Sequence, residues 1–291
     1  PRLLRDLPDP PLVLYVDGTV PDWNRQLTLG IVGTRQASAY AVQVCDIMAK
    51  GVAGAGALVV SGGALGIDST AHKGAMLAGG TTVAVLGCGL GTRYLMQNEP
   101  LLAEIRSHGA LVTEFRPFTP AGKHTFPLRN RLISGMSEGL LVVEAGSHSG
   151  SLITARCALE QGRDVYAVPG SVLSTDFAGT NDLINDGAYV VTQPVQLLSG
   201  YAERYHLDLD RVPSVQQLLA AEQDPGANLP QTSKEYDFER LEEGRQRLKK
   251  RRENQALLTA AESAVLAALP EVFTPVDQVA AKAAMPQGQL L

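Results

Sequence analysis

Between Arg116 and Arg131 the sequence carries Arg116, Lys123, Arg129 and Arg131 with no Asp or Glu among them, and Phe118 and Phe126 are interleaved. Cationic side chains neutralise phosphates, and an exposed aromatic ring gives an unpaired base a surface to stack on. These residue types suit a strand of nucleic acid. They suit equally a solvated charged loop with Phe126 turned into a core, and residue types alone leave both readings open.

Glycine supplies a second set of candidates. Gly33-Thr34-Arg35, Ser61-Gly62-Gly63, Gly87-Cys88-Gly89 and Ser149-Gly150-Ser151 each lie in the loop that follows a short apolar run. Glycine lets backbone approach a ligand, and a helix starting after such a loop presents unpaired N–H groups, a combination suited to phosphate. Tight turns chosen for packing would look similar in a single loop; repetition at successive strand ends favours an anion site.

Other chemistries fit less well. A dinucleotide fingerprint needs G-x-G-x-x-G and a later acidic residue, but Ser61 holds the first glycine position and the next strand ends in Gly87-Cys88. A P-loop lysine is missing too, so neither NAD nor ATP is expected as a cofactor. The G-x-S-x-G string at 135–139 has a helix before it and a strand after, the reverse of a nucleophile elbow. Asp68 and His72 stand one helical turn apart without a third metal ligand nearby, so Asp68 is expected to cap its helix and His72 to pack.

The elements that must position these residues follow from periodicity. Apolar runs at 27–32, 57–60, 81–86, 110–113, 140–143, 165–168 and 189–191 predict strands, and 12–16 is a candidate edge strand. Helices are expected to begin near Ser38, Asp68, Asn98, Arg129, Ser151 and Asn181. Runs buried on both faces and separated by helices predict an α/β, doubly wound, mostly parallel sheet with its ligand beyond the carboxyl ends of the strands.

Composition bounds the rest. The 291 residues include 25 Lys+Arg against 30 Asp+Glu, a net charge of −5 that argues against nonspecific coating of nucleic acid or membrane. No run is long and apolar enough to span a bilayer, and the three widely spaced cysteines point to a reducing cytoplasm. The first domain is expected to occupy residues 1–200. Residues 201–255 follow as a charged linker ending in Arg245, Arg247, Lys249, Lys250, Arg251 and Arg252, and 256–291 as a partial helical domain. An opening on Pro1 suggests a fragment.

Together these residues resemble the DprA family, also called Smf, the DNA-processing proteins of natural transformation. The motifs occur in order over residues 10–200: IVGTR at 31–35, VSGGALGID at 60–68, Ala71-His72, FPLRNR at 126–131, VEA at 143–145, SGSLITA at 149–155, AVPG at 167–170 and GTN at 179–181. The resemblance implies an extended Rossmann-like domain that binds single-stranded DNA, forms a homodimer and loads RecA onto strands covered by single-strand-binding protein. It also implies that 256–291 begins a small winged-helix-like domain. By motif position it makes Arg35, Lys123, Arg129 and residues 149–151 phosphate contacts, and Gly33, Thr34, Ser61, Gly62 and Gly63 of the glycine loops are expected to bind the single strand with them. Phe126 becomes a stacking ring, while Asn130 and Arg131 either join the site or hold the loop. Leu65 stands where the family usually has Arg, and Tyr94 precedes Leu95 rather than Pro. The related nucleoside-monophosphate phosphoribohydrolases are the alternative, but Thr154 stands where they carry a catalytic Glu, and a hydroxyl cannot replace a carboxylate there. No catalytic residue is expected.

Overall fold

The short Val, Leu and Ile runs form one eight-stranded sheet in the computed structural model, which describes residues 1–92 and 98–223. The strands are β1 (Tyr15–Gly18), β2 (Thr28–Val32), β3 (Leu58–Ser61), β4 (Thr82–Val85), β5 (Gly109–Thr113), β6 (Gly139–Val142), β7 (Asp164–Ala167) and β8 (Tyr189–Val190). Their spatial order is β1-β5-β4-β3-β2-β6-β7-β8. Every pairing is parallel except that of β1 with β5. Strands β2 to β6 are buried along their whole length, whereas β1 alternates half-buried and exposed residues, as an edge strand with one wet face should.

Helices cover the sheet. They are α1 (Arg2–Arg5), α2 (Ala39–Gly54), α3 (Ile67–Leu77), α4 (Glu99–His108), α5 (Thr125–Gly135), α6 (Ser151–Glu160), α7 (Ala178–Asn185), α8 (Val195–Leu198), α9 (Ala202–Tyr205) and α10 (Val215–Gln223). Ser38 caps α2 by accepting from the Ala41 N–H at 3.2 Å, where the sequence places that start. Two helices begin earlier than expected. Helix α5 starts at Thr125 because Pro127 falls in its first turn, where its missing N–H has no intrahelical partner to lose. Helix α7 follows directly on a 3-10 turn, Thr175–Phe177, whose buried Phe177 ring contacts Tyr40 at 5.6 Å.

The chain does not leave the sheet at residue 201. Tyr201 donates to the Asp164 carboxylate at 2.7 Å and Tyr205 to Glu138 at 2.6 Å, and the Val215 N–H donates to the Gln193 side chain at 2.9 Å. With Val212 and Leu218 buried as well, this packing reaches into α10. Tyr94, Leu95, the basic cluster at 245–252 and the expected winged-helix segment at 256–291 lie outside the described residues. None of the described helices is long and apolar enough to cross a membrane.

The core sits between the sheet and its helices. One cluster joins Val60, Val83 and Val142 of the strands to Leu132 and Ile133 of α5 and to Leu4 and Leu7 near the amino end. At β2 the chain order reverses, with β3 on one side and β6 on the other. Loops leaving the carboxyl ends of these strands diverge and leave a crevice, the usual ligand position in open parallel sheets.

Candidate functional site

A cleft of about 340 Å³ opens at that reversal. Its walls come from Gly33, Thr34 and Arg35 after β2, Ala64 and Asp68 after β3, Phe126, Arg129 and Asn130 of α5, and Ser149 to Ser151 at the start of α6. Segments distant in sequence meet here because strand order, not chain order, sets which loops are neighbours.

The loop after β2 is held from both sides. The Thr34 N–H donates to the Glu144 carbonyl at 2.8 Å, and the Ile67 N–H donates to the Thr34 carbonyl at 3.1 Å. The buried Glu144 carboxylate accepts from the Ser38 N–H at 3.0 Å and from its hydroxyl at 2.7 Å. Gly33 admits no side chain, since a Cβ would sit 2.6 Å from Ile67 Cγ1. The exposed Arg35 guanidinium is thus anchored at its backbone, and it lies 4.9 Å above the centre of the half-buried Phe126 ring. Cation and ring face the cleft together.

Arg129 is built differently. It is 4% exposed, and its Nη1 donates to the carbonyls of Gly62 (2.8 Å) and Val85 while Nε donates to Asn130 Oδ1 at 3.2 Å. Asp68 lies beside it. Burial pushes the Asp68 carboxyl above the usual carboxylate range; the Arg129 charge and the N–H of Ala64, 3.3 Å away, oppose that shift. Arg129 brings positive potential to the cleft floor while its hydrogen bonds hold the loops after β3 and β4 in place.

The opposite wall is the amino end of α6. The Ser149 and Ser151 hydroxyls are 2.8 Å apart, the Ser151 N–H points at Ser149 Oγ at 3.4 Å, and Asn130 Nδ2 donates to the Gly150 carbonyl at 3.3 Å. Hydroxyls and first-turn N–H groups at a helix start favour an anion.

Not every expected residue enters the cleft. Ser61 is buried and donates to the Ile31 carbonyl at 2.6 Å, so it ties β3 to β2. Gly62 lies against the Arg129 guanidinium, and Gly63 takes a left-handed φ of 67° in the adjoining turn. Lys123 is exposed in the turn before α5, outside the cleft lining. Arg131 pairs with Glu114 at 2.6 Å and Asp9 at 3.5 Å, on the side that holds the amino-terminal segment. His72 is fully buried against the Thr82 hydroxyl at 2.7 Å, and burial, with Arg129, lowers its pKa to about 3, so it is neutral packing. Among the described residues no group of three or more His, Cys, Asp or Glu side chains could hold a metal. Asp68 does not cap its helix as expected: Gly66 holds that position, and the Asp68 carboxylate in the first turn turns to Arg129 and the Ala64 N–H instead. The role of Glu144 was missed, its signal being membership in the ordered motifs.

The family model described as DNA recombination-mediator protein A matches residues 1–202. The chain belongs to this family. It is 40% identical over 204 residues to "DNA processing protein DprA" of Bacillus subtilis, covering 70% of this chain and 69% of that protein. It is 43% identical over 199 residues to "Protein Smf" of Escherichia coli, covering 68% of this chain and 53%, about half, of that protein. A solved structure reported for the unique single-stranded DNA binding mode of DNA processing protein A from Helicobacter pylori superposes with a TM-score of 0.65. It is 29% identical, covering 71% of this chain and 94% of that one. Of the motifs read in the sequence, residues 33–35, Phe126, Arg129, Asn130 and residues 149–151 line the cleft.

Proposed function

We propose that the chain is a single-stranded DNA-binding recombination mediator that protects incoming DNA and loads RecA during natural transformation. The observation that carries this reading is the exposed Arg35 guanidinium lying over the Phe126 ring at the mouth of the cleft. A phosphate can approach Arg35 and the α6 amino end while a neighbouring base stacks on the Arg35–Phe126 pair, whose guanidinium already covers one side of the ring. A paired duplex hides the faces of its bases, so the arrangement favours single strands. Family membership and the Helicobacter pylori relative support the same ligand.

In this reading the cleft binds without turnover. Thr154, 2% exposed, occupies the wall where the related phosphoribohydrolases need a carboxylate. The carboxylate present, Asp68, is engaged with Arg129 and the Ala64 N–H. A homodimer through residues 165–188, contact with RecA and contact with single-strand-binding protein complete the proposal and rest on the family.

Titration of labelled oligonucleotides tests it directly. Single strands should bind with a steep inverse dependence on salt and duplexes of equal length much more weakly. Equal affinity for both, or release of free base from nucleoside monophosphates, would overturn the reading.

A further inference from the structure

Phe118 has a φ of 65° and is 75% exposed. A bulky side chain rarely accepts left-handed backbone, and such a conformation persists only where its surroundings impose it. Here the loop after β4 imposes it. The Phe118 N–H donates to the Leu90 carbonyl at 2.8 Å, and the Gly89 N–H donates to the Thr119 carbonyl at 2.9 Å. The Phe118 ring lies over Gly91, where a Cβ would come within 2.7 Å of Cε1.

That same loop seats the ring of the cleft. Phe126 lies over Gly87, where a Cβ would come within 2.6 Å of its Cδ1. One short glycine-rich segment therefore carries two aromatic rings at the carboxyl edge of the sheet, one bordering the cleft and one held out into solvent. The flanking charge is of one sign. Arg116 and Lys123 are exposed, and among the described residues neither has an ion-pair partner. Glu114, the carboxylate adjoining this stretch, is taken up by Arg131 at 2.6 Å.

We infer that Phe118, flanked by Arg116 and Lys123, is a second stacking-and-phosphate subsite, which carries a single strand out of the cleft past Phe126 and across the loops after β4 and β5. This rests on the single-stranded DNA reading and gives it a path. Exposed aromatic faces with cations between them are the general means of holding unpaired bases without reading their sequence. The subsite also accounts for the position of Lys123, a cation outside the cleft but beside the proposed path.

The test uses the full chain and oligothymidylates of about 4 and about 16 nucleotides, which bracket common single-strand site sizes. Phe118→Ala and Phe118→Gly should weaken the long oligonucleotide by about 5- to 150-fold and the short one by less than about two-fold. The glycine variant should melt no lower than the parent, since it accepts the positive φ. In Phe118→Trp, the long oligonucleotide should quench the new emission and the short one should not, against the constant background of Trp23, the chain's single tryptophan. If the Phe118 variants bind both lengths like the parent while Phe126→Ala loses both, the subsite is refuted and the cleft stands. If Phe126→Ala also binds both normally, the cleft is refuted as the site along with the subsite, whereas a parent chain that binds neither oligothymidylate removes the single-stranded DNA reading itself. Should Phe118→Ala fail to fold, the tryptophan variant decides, and unquenched emission with the long oligonucleotide overturns the subsite.

Discussion

Arg35 and Arg129 carry the same charge in different surroundings, and their replacement should give different signatures. Arg35 is exposed over Phe126, so Arg35→Ala should leave the melting temperature nearly unchanged. It should flatten the log–log salt dependence of binding by roughly 0.7, the increment for one contact on a single strand. Arg129 is buried against two carbonyls and Asp68. Its removal strands a buried carboxylate, and Arg129→Ala should cost about 3–5 kcal/mol of stability before any effect on binding is read. Unfolding curves and salt titrations of both variants check the division; an Arg129→Ala protein of normal stability would contradict it. His72 gives a pH dependence. Its pKa is 6.5 as a free side chain and about 3 in the fold, so between those values the unfolded chain binds more protons. Stability is therefore full above about pH 6.5 and is lost as pH falls towards 3, with a slope approaching about 1.4 kcal/mol per pH unit from this one group. Asp68, whose carboxyl is raised, acts in the opposite sense just above the ordinary carboxylate range. The difference between parent and His72→Gln, measured by urea unfolding across that range, isolates the histidine term.

At the scale of elements, the site depends on two loops locked together by one buried acid. Glu144, at the end of β6, holds Ser38 at the start of α2, and its own carbonyl holds Thr34. The side chain thereby ties the helix that follows β2 to the strand across the switch point. Glu144→Ala leaves the half-buried Ser38 N–H and hydroxyl without their acceptor, which should cost about 1–3 kcal/mol. It should also weaken binding more than the stability loss explains, because the loop carrying Arg35 loses a fixed anchor. Glu144→Gln keeps an acceptor and should recover much of both. Calorimetric melting and oligonucleotide affinity on the pair of variants provide the check. If Glu144→Ala binds normally at a temperature where it is fully folded, the loop does not need that anchor.

For the whole molecule, the question is which part of the chain holds the ligand. Residues 201–223 pack on the sheet unit through Tyr201, Tyr205 and Val215, so a boundary at residue 200 would cut through these contacts. A chain ending after Gln223 removes the basic cluster at 245–252 and leaves the cleft, the Arg35–Phe126 pair and Phe118 complete. It should keep the single-strand affinity of the full chain within a few-fold, with a small decrease in salt slope at most. Loss of nearly all binding on that truncation would shift the main interface to the basic cluster. Circular dichroism on the shortened chain separates this outcome from unfolding.

The strands, most helix starts and the glycine loops were legible in the amino-acid order because each depends on neighbours in the chain. Runs of Val and Leu bounded by glycine read as buried strands, Ser38 as a cap, and the spacing of the motifs as a family pattern. What the order of residues could not decide was which loops meet and which side chains remain in water. Gly33, Asp68, Phe126 and Ser149 share one cleft only because β2 pairs with both β3 and β6, a result of long-range hydrogen bonding. Arg129 and Arg131 sit in one motif with the same charge, yet one is buried at the cleft floor and the other is tied to Glu114 away from it. Successive side chains on a helix point in different directions, so a single motif faces two environments. Phe118 and Phe126 looked alike as interleaved aromatics. Tertiary packing against one glycine loop made Phe126 a half-buried wall and held Phe118 out in solvent at a positive φ, because burial and backbone strain are set by what packs around a residue rather than by its type.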